Sequence, residues 1–598
     1  MTLSGAVFRV ARVMQPRQFL LLLPAGLLLG LASSCSRSPS PPTAEPAPAA
    51  LGIGLAAPIP LEESAAALPA LGAYLDEVKT ALASDRPVVG VEAAASADPA
   101  RRDAVTLALA DLRFARDFVH RDTGEPLHNE ILRAEPDPAA GGQIRVELYN
   151  YFYNYSTVAW VDSAAKKVAR VEEISATPPV VSPRLEALAT QLALRHPDIR
   201  RELGLADGDD GAGIKVTVEV SQSERSRHLC AAPVFHHKGL ALWTLVDLAD
   251  WQVIGWQWTT LENGRPSLKV TERSLQNDAI MEAYCDTDRK LARDGWDITY
   301  RLTRSDGLEI VNVAFQGKPV LRSAKLVEWH VSYLFNNGFG YTDAMGCPMF
   351  SSSKVVAFRG PEQAGIPATE TLKGGFVLVQ DFRSAVWPVA CNYRYQNRYE
   401  FYADGRFRIC GANLGRGCQP GVWYRPVFRI ELAQEDGSRF EQWDGAAWKP
   451  WEKEAWFLQE DATPRTAANV LFRLHTGGGR GYEVEPSWGQ FGAGSRSDNA
   501  YTYVTVDHPK SAEGAEDLPN LGDCCNSDHR QGPDQFIGAA PESLAGEKLI
   551  FWYVPQFQGD ATPGKQYAWA ELMVENGKAK NMFWPAFVGP MFIPFAAP

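Results

Sequence analysis

From Trp296 to the C-terminus, the sequence consists of short apolar and aromatic runs separated by Gly and Pro, and no helical periodicity appears there. Such runs are typical of strands, because aromatic and β-branched side chains fit a pleated, half-buried surface. The chain's 17 Trp, 19 Tyr and 27 Phe favour the same interpretation. No internal repeat stands out. This pattern predicts one large all-β sandwich, which we place at residues 286–598.

The region before the sandwich mixes helical and strand patterns. Residues 61–175 should hold a helical segment and a first small α+β module, with an amphipathic stripe at Leu71, Tyr74, Leu75 and Val78. Residues 144–174 are predicted to form a strand pair, with alternation in the first half and a second run at Thr157–Val161. Residues 176–285 should form a second small α+β module, with a helix predicted over 182–196 followed by several strands. The predicted fold class is therefore α+β N-terminal modules followed by a large all-β sandwich.

The N-terminus has the features of an export signal. Three arginines precede a short apolar run, Phe19–Leu31, which is too short for a membrane-spanning helix. Small residues then lead into Cys35, a pattern that resembles a bacterial lipobox. We expect residues 1–34 to be a signal peptide and Cys35 to be the lipidation site; plain secretion with another cleavage site is the alternative. Residues 35–60 are rich in Pro and Ala and should form a tether.

Charge and cysteine content narrow the possible partners and compartments. The net charge is −12 and no long basic run occurs, which argues against nucleic-acid binding. Eight cysteines remain besides Cys35, and an even number in an exported protein favours disulfides. Cys410 and Cys418 are close enough in sequence to close a short loop. The adjacent Cys524 and Cys525 should bond to other partners. We expect a membrane-anchored protein at the outer membrane or cell surface.

Several segments resemble, in the same order, sequences of the copper amine oxidases. They include a Gly-x-Pro-Val turn, a Gly-Phe-Gly stretch before Gly-Cys, an Asn-Tyr-x-Tyr strand and a Pro-rich C-terminus. These segments are 296–333, 338–347, 391–409, 502–520, 547–554 and 582–595. The resemblance spans about residues 105–598 and implies the fold of that family.

The resemblance also implies where the family's chemistry would lie. In the family a tyrosine becomes a quinone that forms a Schiff base with a primary amine, and a carboxylate removes a proton. The matching tyrosine is Tyr393, between Asn392 and Arg394, with Tyr395 following. The position of the catalytic carboxylate falls on Asn336, which cannot act as a base. Asp343, nearby in sequence, is the alternative carboxylate.

The copper ligands implied by the resemblance are missing from the sequence. The family's His-x-His pair falls on Val422 and Tyr424, and the third histidine falls on Gln558 or Gly559. Because Cu(II) favours nitrogen donors, we assign no metal ligand. Copper and a tyrosine-derived quinone are expected only if the family's activity survives. The cluster around Cys524 and His529 is better explained by disulfides than by a soft-metal site.

Three functions follow from these observations. The first is a catalytically degenerate, exported lipoprotein that acts in binding or interaction at the cell envelope. The second is an active copper- and quinone-dependent oxidase of primary amines with a rearranged site. The third is a surface structural protein. Expected partners are membrane lipid through Cys35, an unknown small-molecule or protein ligand, and a second copy of the chain, since the family is typically dimeric.

Overall fold

The computed structural model describes residues 51–90, 98–175, 179–222, 228–332, 340–343, 345–349, 355–435, 438–487, 499–508, 537 and 539–596. All of them belong to one compact unit, Leu51–Pro598. The predicted signal peptide and the lipidation site Cys35 lie outside the described residues.

The described helices all end before residue 285, as the loss of helical periodicity in the sequence predicts. They are α1 (Leu61–Ala67), α2 (Pro69–Leu82), α3 (Pro99–Ala110), α4 (Pro183–Arg195), α5 (Pro197–Leu203) and α6 (Glu272–Tyr284). The predicted helix at 182–196 is confirmed as α4, whose N-terminus is capped by the hydroxyl of Ser182. None of these helices is long and apolar enough to cross a lipid bilayer.

The first module is a five-stranded sheet with one helix against it. Strand β1 (Ile53–Leu55) precedes it and joins the second module. The strands of the first sheet, in their spatial order, are β2 (Val88–Val89), β3 (Asn129–Asp137), β4 (Gln143–Asn150), β5 (Tyr155–Asp162) and β6 (Lys167–Ile174). Ala104 and Ala108 of α3 share a buried apolar cluster with Val146 and Ala159 of the sheet. Small side chains let this helix approach the strands closely.

The second module is a six-stranded sheet covered by α4. Its further strands are β7 (Lys215–Gln222), β8 (Leu229–His237), β9 (Leu240–Asp247), β10 (Gln252–Glu262) and β11 (Arg265–Pro266). The order is β1-β10-β9-β8-β7, with β11 paired to β10. Leu185 and Leu188 of α4 pack in one cluster with Phe235 and Leu242 of the sheet. The leucine side chains of α4 therefore face the core.

Strand β1 corrects the expected extent of the tether. Residues 53–55 fall within the predicted tether 35–60, yet they pair with β10. Gly54 passes so close to Trp256 that a Cβ atom would lie 2.8 Å from its ring. Glycine thus permits a packed strand in a segment whose average composition favours an extended linker. Any tether must end before residue 53.

Two large sheets form the sandwich. The ten-stranded sheet contains β12 (Arg289–Arg293), β13 (Trp296–Leu302), β14 (Leu308–Phe315), β15 (Lys318–Ser332), β16 (Gly340–Asp343), β22 (Trp423–Leu432), β25 (Ala455–Leu458), β28 (Tyr501–Val506), β29 (Leu549–Val554) and β30 (Phe557–Gln558). The eleven-stranded sheet contains β17 (Val356–Ala357), β18 (Glu362–Ile366), β19 (Gly375–Arg383), β20 (Arg394–Tyr402), β21 (Phe407–Asn413), β23 (Arg439–Trp443), β24 (Trp448–Pro450), β26 (Phe472–Gly477), β27 (Arg480–Glu485), β33 (Ala586–Val588) and β34 (Met591–Ala596). A separate hairpin is formed by β31 (Trp569–Glu575) and β32 (Lys578–Trp584).

The sandwich core lies between the two large sheets. Alternate residues of β20 are buried, as a period of two requires of a strand with one face on the core. Among them, the hydroxyl of Tyr399 reaches across the core and donates to the backbone oxygen of Leu308 at 2.6 Å. Side chains from both sheets share one apolar cluster. The predicted fold class, α+β modules followed by an all-β sandwich, is confirmed.

Candidate functional site

Tyr393 lies at the end of a loop that feeds directly into strand β20. The loop is closed by two hydrogen bonds from Ser384, whose amide donates to the backbone oxygen of Tyr393 at 2.9 Å and whose hydroxyl donates to Asn392 Oδ1 at 2.6 Å. A disulfide joins Cys391, two residues before Tyr393, to Cys418. Asn392 therefore orients the loop, and Tyr393 enters the sandwich core, where it is buried.

Tyr393 belongs to an aromatic stack within the core. Its ring is parallel to that of Tyr395, with ring centroids 5.5 Å apart, and Tyr395 in turn stacks on Trp329 at 4.5 Å. The ring of Tyr424 meets Tyr393 edge-on at 6.2 Å. All four side chains are buried. Aromatic pairs in these geometries add stability beyond the area that they bury.

Asp343, the alternative carboxylate, is bound by the second tyrosine of the motif. The hydroxyl of Tyr395 donates to Asp343 Oδ2 at 2.7 Å, and both side chains are buried. Strand β16 places Asp343 opposite Trp329 of β15, on the same side of the core as the stack. The structure therefore brings Tyr393, Tyr395 and Asp343 together. Asn336, the position assigned to the family's catalytic carboxylate, lies outside the described residues.

The positions assigned to the copper ligands converge in space. Strand β22 pairs with β30 so that Tyr424 lies opposite Phe557. The amide of Gly559 donates to the backbone oxygen of Val422 at 2.9 Å. Gln558 lies opposite Trp423 in the same pairing. Positions more than 130 residues apart in sequence are thus neighbours, as they would be around one ion.

The residues at these positions do not fit a copper ion. Val422 and Tyr424 are fully buried, and Tyr424 stacks on Phe557 with ring centroids 5.3 Å apart. Tyr567 packs on the other side of Phe557 at 5.7 Å. A Cβ atom at Gly559 would lie 3.4 Å from the Tyr424 ring, so that ring occupies the space beside the glycine. An apolar side chain, a phenol and a glycine offer none of the imidazole nitrogens that Cu(II) prefers.

The described histidines of the sandwich each contact a carboxylate. His330 Nε2 lies 2.5 Å from Glu328 Oε1, His475 Nε2 lies 2.8 Å from Glu441 Oε2, and His508 Nε2 lies 3.2 Å from Glu542 Oε1. These pairs are hydrogen bonds within the fold, and they lie on different strands or loops. The predicted disulfide cluster with Cys524, Cys525 and His529 lies outside the described residues.

The cysteines correct one expected pairing. Cys418 bonds to Cys391, and Cys285 bonds to Cys347. The short loop expected from Cys410 to Cys418 is therefore wrong. Cys410 lies within strand β21 as a buried thiol, and burial raises its pKa to about 12. In a strand the side chain of Cys410 is committed to one face of the sheet, so closeness in sequence does not bring it to Cys418.

A second cluster of ionisable groups was not predicted from the sequence. His228 Nδ1 lies 2.6 Å from Asp247 Oδ2 and 3.7 Å from Asp250 Oδ2, in the second module. Burial opposes protonation of His228, but the two carboxylates prevail and raise its pKa to about 9. The cluster lines a cavity of about 600 Å³ between the second module and the sandwich. Its residues come from separate strands and loops, and no short motif joins them.

Comparison with known proteins gives similarity only at the level of solved structures. The chain is similar to a copper-containing benzylamine oxidase from Hansenula polymorpha (12% identity, 81% of this chain and 96% of that chain covered, TM-score 0.34). It is also similar to a lysyl oxidase from Pichia pastoris (12%, 83% and 89%, 0.31) and to an amine oxidase from Aspergillus nidulans (13%, 82% and 87%, 0.30). Because these TM-scores are low, the fold class is inferred from the sheets described above and not from this similarity.

No family model matches the chain, and no curated protein matches it. The chemistry must therefore be argued from the residues themselves.

Proposed function

We propose that this protein is a non-catalytic relative of the copper amine oxidases that acts by binding at the cell envelope. One observation carries the proposal. The three positions that the resemblance assigns to copper ligands lie together, yet they hold Val422, Tyr424 and either Gln558 or Gly559. Function depends on site residues and not on the scaffold, so a retained fold without ligands favours binding over oxidation.

The surroundings of Tyr393 support the same conclusion. A tyrosine converted to a quinone must contact oxygen, metal and substrate, whereas the ring of Tyr393 packs against those of Tyr395 and Tyr424. Among the described carboxylates near the motif, Asp343 accepts a hydrogen bond from Tyr395, and Asp381 accepts two from Arg394. A carboxylate engaged in this way is held as a structural acceptor.

The place of action is proposed from the N-terminal sequence. A short apolar run followed by small residues and Cys35 supports export and lipid anchoring at the outer membrane or cell surface. A lipid anchor with a tether holds a binding body close to the membrane surface. We also propose that the protein is a homodimer and that its ligand is a small molecule or a protein.

Copper stoichiometry and visible absorbance test the proposal. The purified protein is incubated aerobically with Cu(II), dialysed, and measured for bound copper and for a quinone band. We expect no tightly bound copper and no quinone band, in the wild type and in Tyr393→Phe alike.

The opposite result would make the protein an oxidase. About one copper per chain together with a quinone band that disappears in Tyr393→Phe would overturn the proposal. Tyr482→Phe is the matched control, because Tyr482 packs against the same core from strand β27, away from the stack. A quinone formed at Tyr393 would persist in that control.

A further inference from the structure

The cavity between the second module and the sandwich has walls of opposite charge. Its volume of about 600 Å³ falls within the range of about 300–1,000 Å³ that is usual for small-molecule sites. The wall from the second module carries His228, Asp247 and Asp250, and helix α6 adds Glu272. The wall from the sandwich carries arginines. Binding sites for small molecules often lie between modules, where two surfaces supply different groups.

On the acidic wall, Asp250 is the carboxylate that faces the opening. Asp247 is occupied, because its Oδ1 accepts the amides of Ala249 at 2.7 Å and Asp250 at 3.1 Å while its Oδ2 contacts His228. The side chain of Asp250 is 62% exposed. Desolvation and the nearby charge of Asp247 raise the pKa of Asp250, whereas His228 and Lys578 act in the opposite direction. The net shift is upward, so a further cation beside Asp250 would stabilise its charged form.

Gln276 contributes a buried acceptor that is left without a partner. Its side chain is 7% exposed and lines the cavity from α6. Its Nε2 donates to Glu272 Oε1 at 3.0 Å, but among the described residues its Oε1 accepts no hydrogen bond. An unsatisfied buried acceptor is destabilising, so such a group favours a ligand that donates to it.

On the basic wall, Arg383 differs from its neighbours. Arg394 donates two hydrogen bonds to Asp381, at 3.0 and 2.7 Å, and Arg359 lies 3.6 Å from Glu362. Arg383 stacks over the ring of Phe358 at 4.4 Å. Within the described part of the chain, no carboxylate lies within ion-pairing distance of it, and its Nε donates no hydrogen bond. Burial lowers the pKa of Arg383 to about 10, and the charge of Glu272 on α6 acts in the opposite direction.

We propose that this cavity binds a small zwitterion, a molecule with one carboxylate and one ammonium group, such as a free amino acid or a short peptide. The carboxylate pairs with Arg383, since guanidinium and carboxylate match in charge and in planar hydrogen-bonding geometry. The ammonium group pairs with Asp250, and an N–H of the ligand donates to Gln276 Oε1. This assignment uses no residue of the Tyr393 stack and does not depend on the proposed loss of oxidase chemistry.

Calorimetric titration tests the assignment. The probes are L-alanine, L-lysine and L-alanyl-L-alanine, and the comparators are acetate and ethylammonium, which each carry one half of the charge pattern. We expect at least one zwitterion to bind, and both comparators to bind at least about tenfold more weakly. Arg383→Gln and Asp250→Asn should each weaken zwitterion binding by about tenfold or more, a change that corresponds to about 1.4 kcal/mol.

The control is Arg398→Gln, because Arg398 also lies over an aromatic ring on the sandwich, that of Phe587, but outside the cavity. Its zwitterion affinity should equal that of the wild type. If Arg383→Gln fails to fold, the exposed position of Asp250 keeps the second variant informative.

Three results would overturn the proposal: no zwitterion binds, a comparator binds as tightly as the zwitterions, or both variants bind like the wild type. A fourth would replace it. If Zn²⁺ alone binds and His228→Ala abolishes that binding while zwitterions do not bind, the cavity is a metal site formed by His228, Asp247 and Asp250, whose ligand atoms lie within 4.8 Å of one another.

Discussion

The Tyr393 stack and the cavity between module and sandwich differ in how their space is filled. Around Tyr393, the aromatic rings pack in a row. Trp329 contacts Tyr395, Tyr395 contacts Tyr393, and Tyr393 contacts Tyr424. Around the cavity, Asp250 and Arg383 face open volume from opposite walls. The first arrangement is typical of a core, which is close-packed and stabilising. The second brings charged groups to an open cavity, which is typical of binding sites.

This difference shows that a motif and a site can separate. Asn392, Tyr393 and Tyr395 have the order that the resemblance assigns to a catalytic strand, but the side chains around them meet as packing partners. The charged residues that line the cavity lie elsewhere and have no motif. If the comparison is correct, substitutions in the stack should change stability, and substitutions on the cavity walls should change ligand affinity.

The largest expected effect is that of Tyr424→Ala. Tyr424 is 1% exposed and fills the position assigned to a copper ligand. Removing its ring leaves a void in a close-packed core, so the free energy of unfolding should fall by about 3–5 kcal/mol. Urea unfolding followed by tryptophan fluorescence measures the change.

The matched control is Trp456→Ala on strand β25, since Trp456 is 42% exposed. Its loss should cost less than about 1 kcal/mol. If Tyr424→Ala is as stable as the wild type, the comparison fails. The space around Tyr393 would then accommodate a void without loss of stability, as a ligand channel does.

Most of the architecture was predictable from sequence because it depends on periodicity. Helix α4 and strand β20 have clean patterns of 3.6 and 2, and their buried faces are those that the patterns indicate. Strand β1 was not predictable, since three residues within a Pro/Ala-rich segment gain their order from pairing with β10. The pairing of Cys391 with Cys418 depends on how two loops meet, which spacing along the chain does not report.

The candidate sites, too, were predictable from the sequence only in part. Counting along the resemblance placed Val422, Tyr424 and Gly559 together, and the strand pairing places them side by side. The hydrogen bond from Tyr395 to Asp343 was not predicted, because it depends on the register of β16 against β15. The cavity was missed entirely: Asp250 and Arg383 come from segments that only the tertiary fold brings together.

A smaller expected effect comes from His228 and is visible in the pH dependence of stability. The carboxylates around it raise its pKa to about 9, above the value of about 6.5 in an unfolded chain. Its contribution to stability is therefore fully present below about pH 6.5 and is lost as the pH rises through about 9. The free energy of unfolding should fall by about 2–3 kcal/mol more in the wild type than in His228→Gln across this window.

Thermal unfolding at half-unit steps from pH 6 to 9.5 measures this difference. His508→Gln is the control, because His508 is more exposed and contacts one carboxylate at 3.2 Å. It should follow the wild-type curve. Parallel curves for the wild type and His228→Gln would show that this wall of the cavity does not hold an imidazolium.

The smallest effect that separates the two regions is that of Tyr395→Phe. This change removes the hydroxyl that donates to Asp343 and keeps the ring stacked between Trp329 and Tyr393. Losing a hydrogen bond to a buried carboxylate should lower the free energy of unfolding by about 1.5–2 kcal/mol.

Tyr402→Phe removes a similar hydrogen bond, to the less buried Glu400, and should cost less than about 1 kcal/mol. A stabilised Tyr395→Phe would indicate the opposite of a core, since residues kept for chemistry are commonly kept at a cost in stability. The Tyr393 stack would then belong with the cavity as a working site, and oxidase activity would become the first function to assay.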